Sequence, residues 1–107
     1  MNTLKNYDLY GFLEPRLESV REGVESALNV VFELRDSSYV GVYFRCETAV
    51  GDEFIVQRNH EEASDDWAED AFQQFPTLLY ATLSSEPDAT RNVVTSIGGQ
   101  LLRRQLL

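Results

Sequence analysis

This 107-residue chain is short of several things that would each have pointed to a function. It has one cysteine, Cys46, so no internal disulfide can form. It has one histidine, His60, which leaves zinc or a Ser-His-Asp relay little to build on. Apolar runs are only a few residues long, too short to cross a bilayer as a helix. The opening MNTLKNYDLYGF has one lysine and no apolar core, so it does not read as a secretory signal. A CxxC, an HExxH, a GxSxG and a glycine-rich phosphate loop are all missing. Basic residues are scarce too, nine against eighteen acids, for a net charge of −9. A surface of that sign repels phosphates, so no nucleic-acid partner is expected, and a basic protein is the compatible one. These absences describe a single cytoplasmic domain over residues 1–107 with no cofactor, no bound metal and no membrane contact.

Apolar residues make up 43 % of the chain, more than a disordered segment carries. Their spacing changes along it. After Pro15, residues Leu17, Val20, Val24 and Leu28 recur at three and four, which predicts a helix stopped by Asn29. Leu9, Phe12 and Leu13 are expected to fold back on the core just before it. Val30, Phe32 and Leu34 then alternate with Val31, Glu33 and Arg35; Val40, Val42, Phe44 and Cys46 with Tyr39, Gly41, Tyr43 and Arg45; and Phe54 and Val56 with Ile55 and Gln57. Turn signals at Asp36–Ser38 and Gly51–Asp52 join these runs into an antiparallel meander. TLLYATLS is apolar on both faces, which predicts a strand inside the sheet. Ser85 and Asp88 resemble a capping box, with Pro87 in the first turn of a last helix. Val93, Val94, Ile97, Leu101 and Leu102 give that helix its apolar face, and Arg103 and Arg104 suit its negative end. Gly98–Gly99 in its middle predicts close approach to the sheet. The expected fold is α+β: a two-layer sandwich of about four antiparallel strands with N- and C-terminal helices on one face. The other face is expected to be open to solvent and to present Tyr39, Tyr43 and Arg45, residue types enriched in protein interfaces.

Residues 60–75 carry a charge of −6, most of the imbalance, together with the only His and the only Trp. The carboxylates Glu61, Glu62, Asp65, Asp66, Glu69 and Asp70 come in adjacent pairs without a glycine, unlike a calcium loop. Trp67, Phe72 and Phe75 are too many aromatics for a free linker. Trp67, Ala71 and Phe75 lie four apart, as on one face of a short helix that would staple the segment down. The bland reading is a solvated, solubilising loop. The functional reading is an anchored acidic patch that meets a cationic partner, with Trp67 and the Tyr/Arg sheet face as anchors. Cys46 shares parity with Phe44 and reads as a buried structural thiol, not as a nucleophile paired with His60.

The run SSYVGVYFRCE, then GDEFIVQRN, then the acidic Trp-containing segment, then FPTLLYATL resembles small bacterial immunity proteins of contact-dependent growth inhibition and other polymorphic toxin systems. The similarity spans residues 28–83. It implies a cytoplasmic, non-enzymatic antitoxin that binds the C-terminal domain of one cognate toxin, most often a nuclease of the tRNase type. It carries no fixed set of binding residues, so the candidate contacts remain those read from the residues: Tyr39, Tyr43, Arg45, Glu61, Glu62, Asp65, Asp66, Trp67, Glu69 and Asp70. Inhibition at the toxin's active site and at an exosite are both open. A monomer is expected. The alternative is an acidic secretion chaperone of the type III class, which would bind an effector segment as a homodimer.

Overall fold

The computed structural model describes residues 5–38, 41–61, 64–84 and 86–106. In chain order it runs β1 (Asn6–Phe12), α1 (Leu17–Leu28), β2 (Glu33–Ser37), β3 (Gly41–Glu47), β4 (Glu53–Arg58), β5 (His60–Glu61), β6 (Asp66–Trp67), a single 3₁₀ turn (Asp70–Phe72), β7 (Thr77–Leu83), α2 (Pro87–Ser96) and β8 (Gln100–Leu106). Six strands form one sheet in the order β2-β3-β4-β7-β1-β8, and β5 and β6 form a separate two-stranded ribbon. Each of these pairings is antiparallel. The α+β class and the meander β2-β3-β4 are as expected, and so is β7 inside the sheet, between β4 and β1.

Two of the six strands were not anticipated. The sequence predicts only that Leu9, Phe12 and Leu13 fold back on the core ahead of α1, and NYDLYGF, which forms β1, shows no clean alternation. It is a central strand with a cover on each face, so both of its sides carry buried groups: Leu9 on one, Asp8 and Tyr10 on the other. β8 was read as the end of the last helix, because Val93, Val94, Ile97, Leu101 and Leu102 happen to fall at helical spacing. The helix stops at Ser96 instead. Gly98 takes φ +102°, and a Cβ on Gly99 would lie 2.5 Å from Val94 Cγ1 and 2.9 Å from Phe12 Cζ. The two glycines therefore turn the chain out of the helix and under the core, and Arg103 and Arg104 sit on a strand rather than at a helix end. Pro87 does open α2, Glu86 caps it without a side-chain hydrogen bond, and Ser85 lies outside the described residues. β2 begins only at Glu33, after an irregular stretch through Val30–Phe32.

Both helices pack on one face. Leu17, Val20 and Val24 of α1 and Val94 of α2 join Tyr10, Phe12, Phe44, Cys46, Phe54, Val56 and Leu79 in one buried cluster. Each large aliphatic side chain buried there contributes roughly 1.5–3 kcal/mol. Asn29 ends α1 in the left-handed region at φ 56°, and its N–H closes on the Glu25 carbonyl. Cys46 is part of this core, and burial pushes its thiol up from the ordinary value. No helix among the described residues is long and apolar enough to cross a membrane.

The opposite face is not simply open. Leu9, Leu78 and Phe75 form a second buried cluster there, with Phe72, Tyr80 and Leu102 against it. Residues 72–75 thus fold back over the β7-β1-β8 half of the sheet. Phe75 can lie flat on β1 only because residue 11 is glycine: a Cβ there would sit 2.5 Å from the Phe75 ring and 2.9 Å from Leu102 Cδ1. Leu102 reaches the same side because the β1/β8 register slips between Leu9 and Tyr10, pairing Leu9 with Arg103 and Tyr10 with Leu101.

Candidate functional site

The acidic segment starts where β4 ends, and Asn59 is its knot. This side chain is 1 % exposed. Its Nδ2 donates to the carbonyls of Phe72 at 2.9 Å and Phe75 at 3.0 Å, with a longer approach of 3.4 Å to that of Glu69. Its Oδ1 accepts from the Glu69 N–H at 2.8 Å. Its backbone N–H donates to the Pro76 carbonyl at 2.9 Å, and its carbonyl accepts from Ala68 N–H at 2.7 Å. Asn59 thus adds to the bonds this segment makes internally, from Phe72 N–H to the Glu69 carbonyl and from Phe75 N–H to that of Phe72, both at 3.0 Å.

From that base the chain rises as a ribbon and returns. His60 opposes Trp67 and Glu61 opposes Asp66. The imidazole lies against the indole with centroids 4.6 Å apart, and its Nε2 is 2.8 Å from Asp65 Oδ1. Asp65 turns the tip at φ 56°. The expected short helix with Trp67, Ala71 and Phe75 on one face is thus replaced by a ribbon and one 3₁₀ turn. Trp67 packs on His60 rather than the sheet, and Phe75 alone of the three is buried. The reason is local: carboxylate pairs and a left-handed Asp65 do not favour helical continuation, and Asn59 collects the backbone carbonyls a helix would have used.

The six carboxylates do not act alike. Glu69 turns inward. It takes a two-pronged ion pair from Arg103 (2.9 and 3.2 Å) and a hydrogen bond from the Tyr80 hydroxyl at 2.6 Å. Burial works against its charge, but the Arg103 and Tyr80 hydrogen bonds outweigh it and hold the carboxyl below its ordinary value of 4.5. Burial and the Glu69 carboxylate raise the Tyr80 phenol well above its own. Glu61 is half-buried, with its carboxylate over Gly41, where a Cβ would come within 2.8 Å of Oε2. Asp65, Asp66 and Asp70 face solvent, Asp65 with 89 % of its side chain exposed and Asp70 accepting from Gln73 Nε2 at 2.6 Å. Glu62 and Tyr39 lie outside the described residues.

On the β3-β4 half of this face, Tyr43 and Arg45 lie beside Gln57 and Ile55; Gln57 is buried and the other three are only half-exposed, so the face expected to be open to solvent is not fully open here either. Arg45 is engaged: it holds Glu53 at 2.6 Å and lies 3.7 Å from Glu47. The fold therefore brings Tyr43 and Arg45 to the same side of the sheet as the acidic arm, while Cys46 faces the helix layer. Among the described residues no group of three His, Cys, Asp or Glu side chains converges as a metal site would require. The residues that organise the arm, Asn59, Tyr80 and Arg103, carry no signal in sequence. Each acts on residues ten or more positions away.

The Glu69 contacts make the docking acid-sensitive. A carboxyl held below its ordinary value stabilises the folded form fully above that value, and the contribution fades as pH falls through the lowered one. Trp67, the only tryptophan, is expected to report a change in emission below pH 4.5 that is missing in Glu69→Gln. An identical transition in that variant would rule out Glu69 as its source.

No family model matches the chain, and no curated protein matches it significantly in sequence.

Proposed function

We infer that the protein is an immunity protein that neutralises a cognate basic toxin domain, of nuclease type, by covering its active site or an essential exosite. The observation that carries this reading is the arm at residues 60–76. Phe72, Phe75 and Glu69 are spent on the sheet, and Asp65, Asp66 and Asp70 stand outward. Carboxylates held in place lose less conformational freedom on binding than the same groups on a free tail. They also direct the encounter with a cationic cleft. Tyr43 and Trp67, both half-buried, supply apolar contact area beside them.

The test is co-purification with the C-terminal domain of the protein encoded immediately upstream, followed by assay of that domain's toxicity. A tight complex that silences the toxin is expected. Reversal of Asp65, Asp66 and Asp70 to lysine should slow association at low salt by about ten- to a hundredfold and change dissociation far less. Glu69→Lys is a poor probe of the same idea, because it unlatches the arm. Equal association rates for wild type and the triple variant would remove the arm from the recognition surface.

A further inference from the structure

Among the described residues the sheet ends at β2 on one side and at β8 on the other. An edge strand offers unpaired backbone donors and acceptors to another strand. Of the devices that usually blunt such an edge, β2 has shortness and charge, in its five residues ELRDS, but not the others. It contains no proline, and its register with β3 runs unbroken from Glu33–Arg45 to Ser37–Gly41. Two of the largest apolar exposures lie on it or beside it, Leu34 at 63 % and Val31 at 85 %. Leu34 opposes Phe44 and so lies on the helix-layer side, whereas Glu33 and Arg35 share the opposite face, 3.3 Å apart.

We propose that β2 is a self-association edge, at which two copies pair β2 to β2, antiparallel, about a two-fold axis at Leu34. The register follows from the residues. Strands that continue one sheet about a perpendicular axis must oppose residues of the same face. Centred on Leu34, the axis sets Leu34 against Leu34 and Glu33 against Arg35 of the second copy, twice over by symmetry. Opposite charges and apolar pairs in directly opposed positions each favour pairing. Centred on Arg35, it opposes like charges. At the other edge, axes at Arg103 or Arg104 oppose arginine to arginine, and Arg104 is already held by Asp8 and Asp88. Two sheets of six strands would become one of twelve. A five-residue edge buries little, at the low end of specific interfaces, below about 1,200 Å². The dimer is therefore concentration-dependent rather than obligate, and it does not rest on the toxin-binding reading.

Sedimentation of the full chain from about 1 μM to about 1 mM tests this, with half-association expected in the tens to hundreds of micromolar. Leu34→Lys, at an exposed position, should weaken association at least tenfold while circular dichroism stays unchanged. Glu33→Arg and Arg35→Glu should each stay single-chain alone, since one presents two cations and the other two anions. Mixed, they should form a heterodimer, a result that no folding defect produces. A single-chain mass for the wild type throughout the range overturns the proposal and leaves the edge to a strand of another protein. A dimer indifferent to Leu34→Lys, or a mixture of the two charge variants that stays unassociated, overturns it as well.

Discussion

Arg104→Ala is expected to cost about 3–5 kcal/mol, the usual penalty for leaving a buried charge without its partner. Asp8 lies on β1 with its side chain wholly out of solvent, and Arg104 on β8 grips both of its oxygens, at 3.0 and 2.9 Å. The same guanidinium reaches Asp88 at 2.8 Å and the Pro87 carbonyl at 3.3 Å, so one side chain ties the edge strand to β1 and to the first turn of α2. Asp8 raises the cation's pKa further above its ordinary value than Asp88 does. Tyr10 is buried beside them, and burial reinforced by the Asp8 charge pushes its phenol up to about 12. For a domain of this length the loss corresponds to a fall in Tm of roughly 15–25 °C. Replacing both partners, Asp8→Leu with Arg104→Met, should restore more than half of it, because the pair itself adds little over a packed apolar one. A loss below about 1 kcal/mol in Arg104→Ala would show that water solvates Asp8 and that the pair contributes like a surface bridge.

Asn59→Ala is expected to cost about 2–4 kcal/mol, but locally. The Phe75 carbonyl and the Glu69 N–H lose their partner, the carbonyls of Glu69 and Phe72 keep only the N–H groups of Phe72 and Phe75, and each buried group left unpaired costs roughly 1–3 kcal/mol before water relieves part of it. Phe72, Phe75 and Glu69 rest the arm on the sheet, and without Asn59 its amides should exchange with solvent faster. Those of β2 and β3 should keep their protection. Hydrogen exchange by segment checks this, and Trp67 emission should shift to the red. Asn59→Asp, the same size but without donors, should do at least as much harm. Uniform loss of protection over the whole sheet would mean that Asn59 supports the fold rather than the arm.

These two side chains illustrate what sequence reading could reach. The amphipathic stripe of α1, the meander and the internal β7 rest on periods of 3.6 and 2, which nearest neighbours set. The −6 segment with its aromatics was legible as an anchored acidic patch, and so was the buried parity of Cys46. β8 was not legible, because an apolar pattern of Val93, Val94, Ile97, Leu101 and Leu102 satisfies a helix until two glycines are seen to break it. β1 was not legible either, since a strand covered on both faces by different elements loses its alternation.

The sequence by itself determined composition, charge placement, the helix layer and the meander, because those follow from contacts between near neighbours. Only the tertiary structure decided which carboxylates face outward. Glu69 and Asp66 look alike in the chain, three residues apart. Arg103, thirty-four residues beyond Glu69, and Tyr80 draw the one inward, while Asn59 fixes the backbone that carries the other into water. Hydrogen bonds between distant residues exist only once the sheet has assembled, and they set the structural Glu69 apart from the exposed Asp65, Asp66 and Asp70.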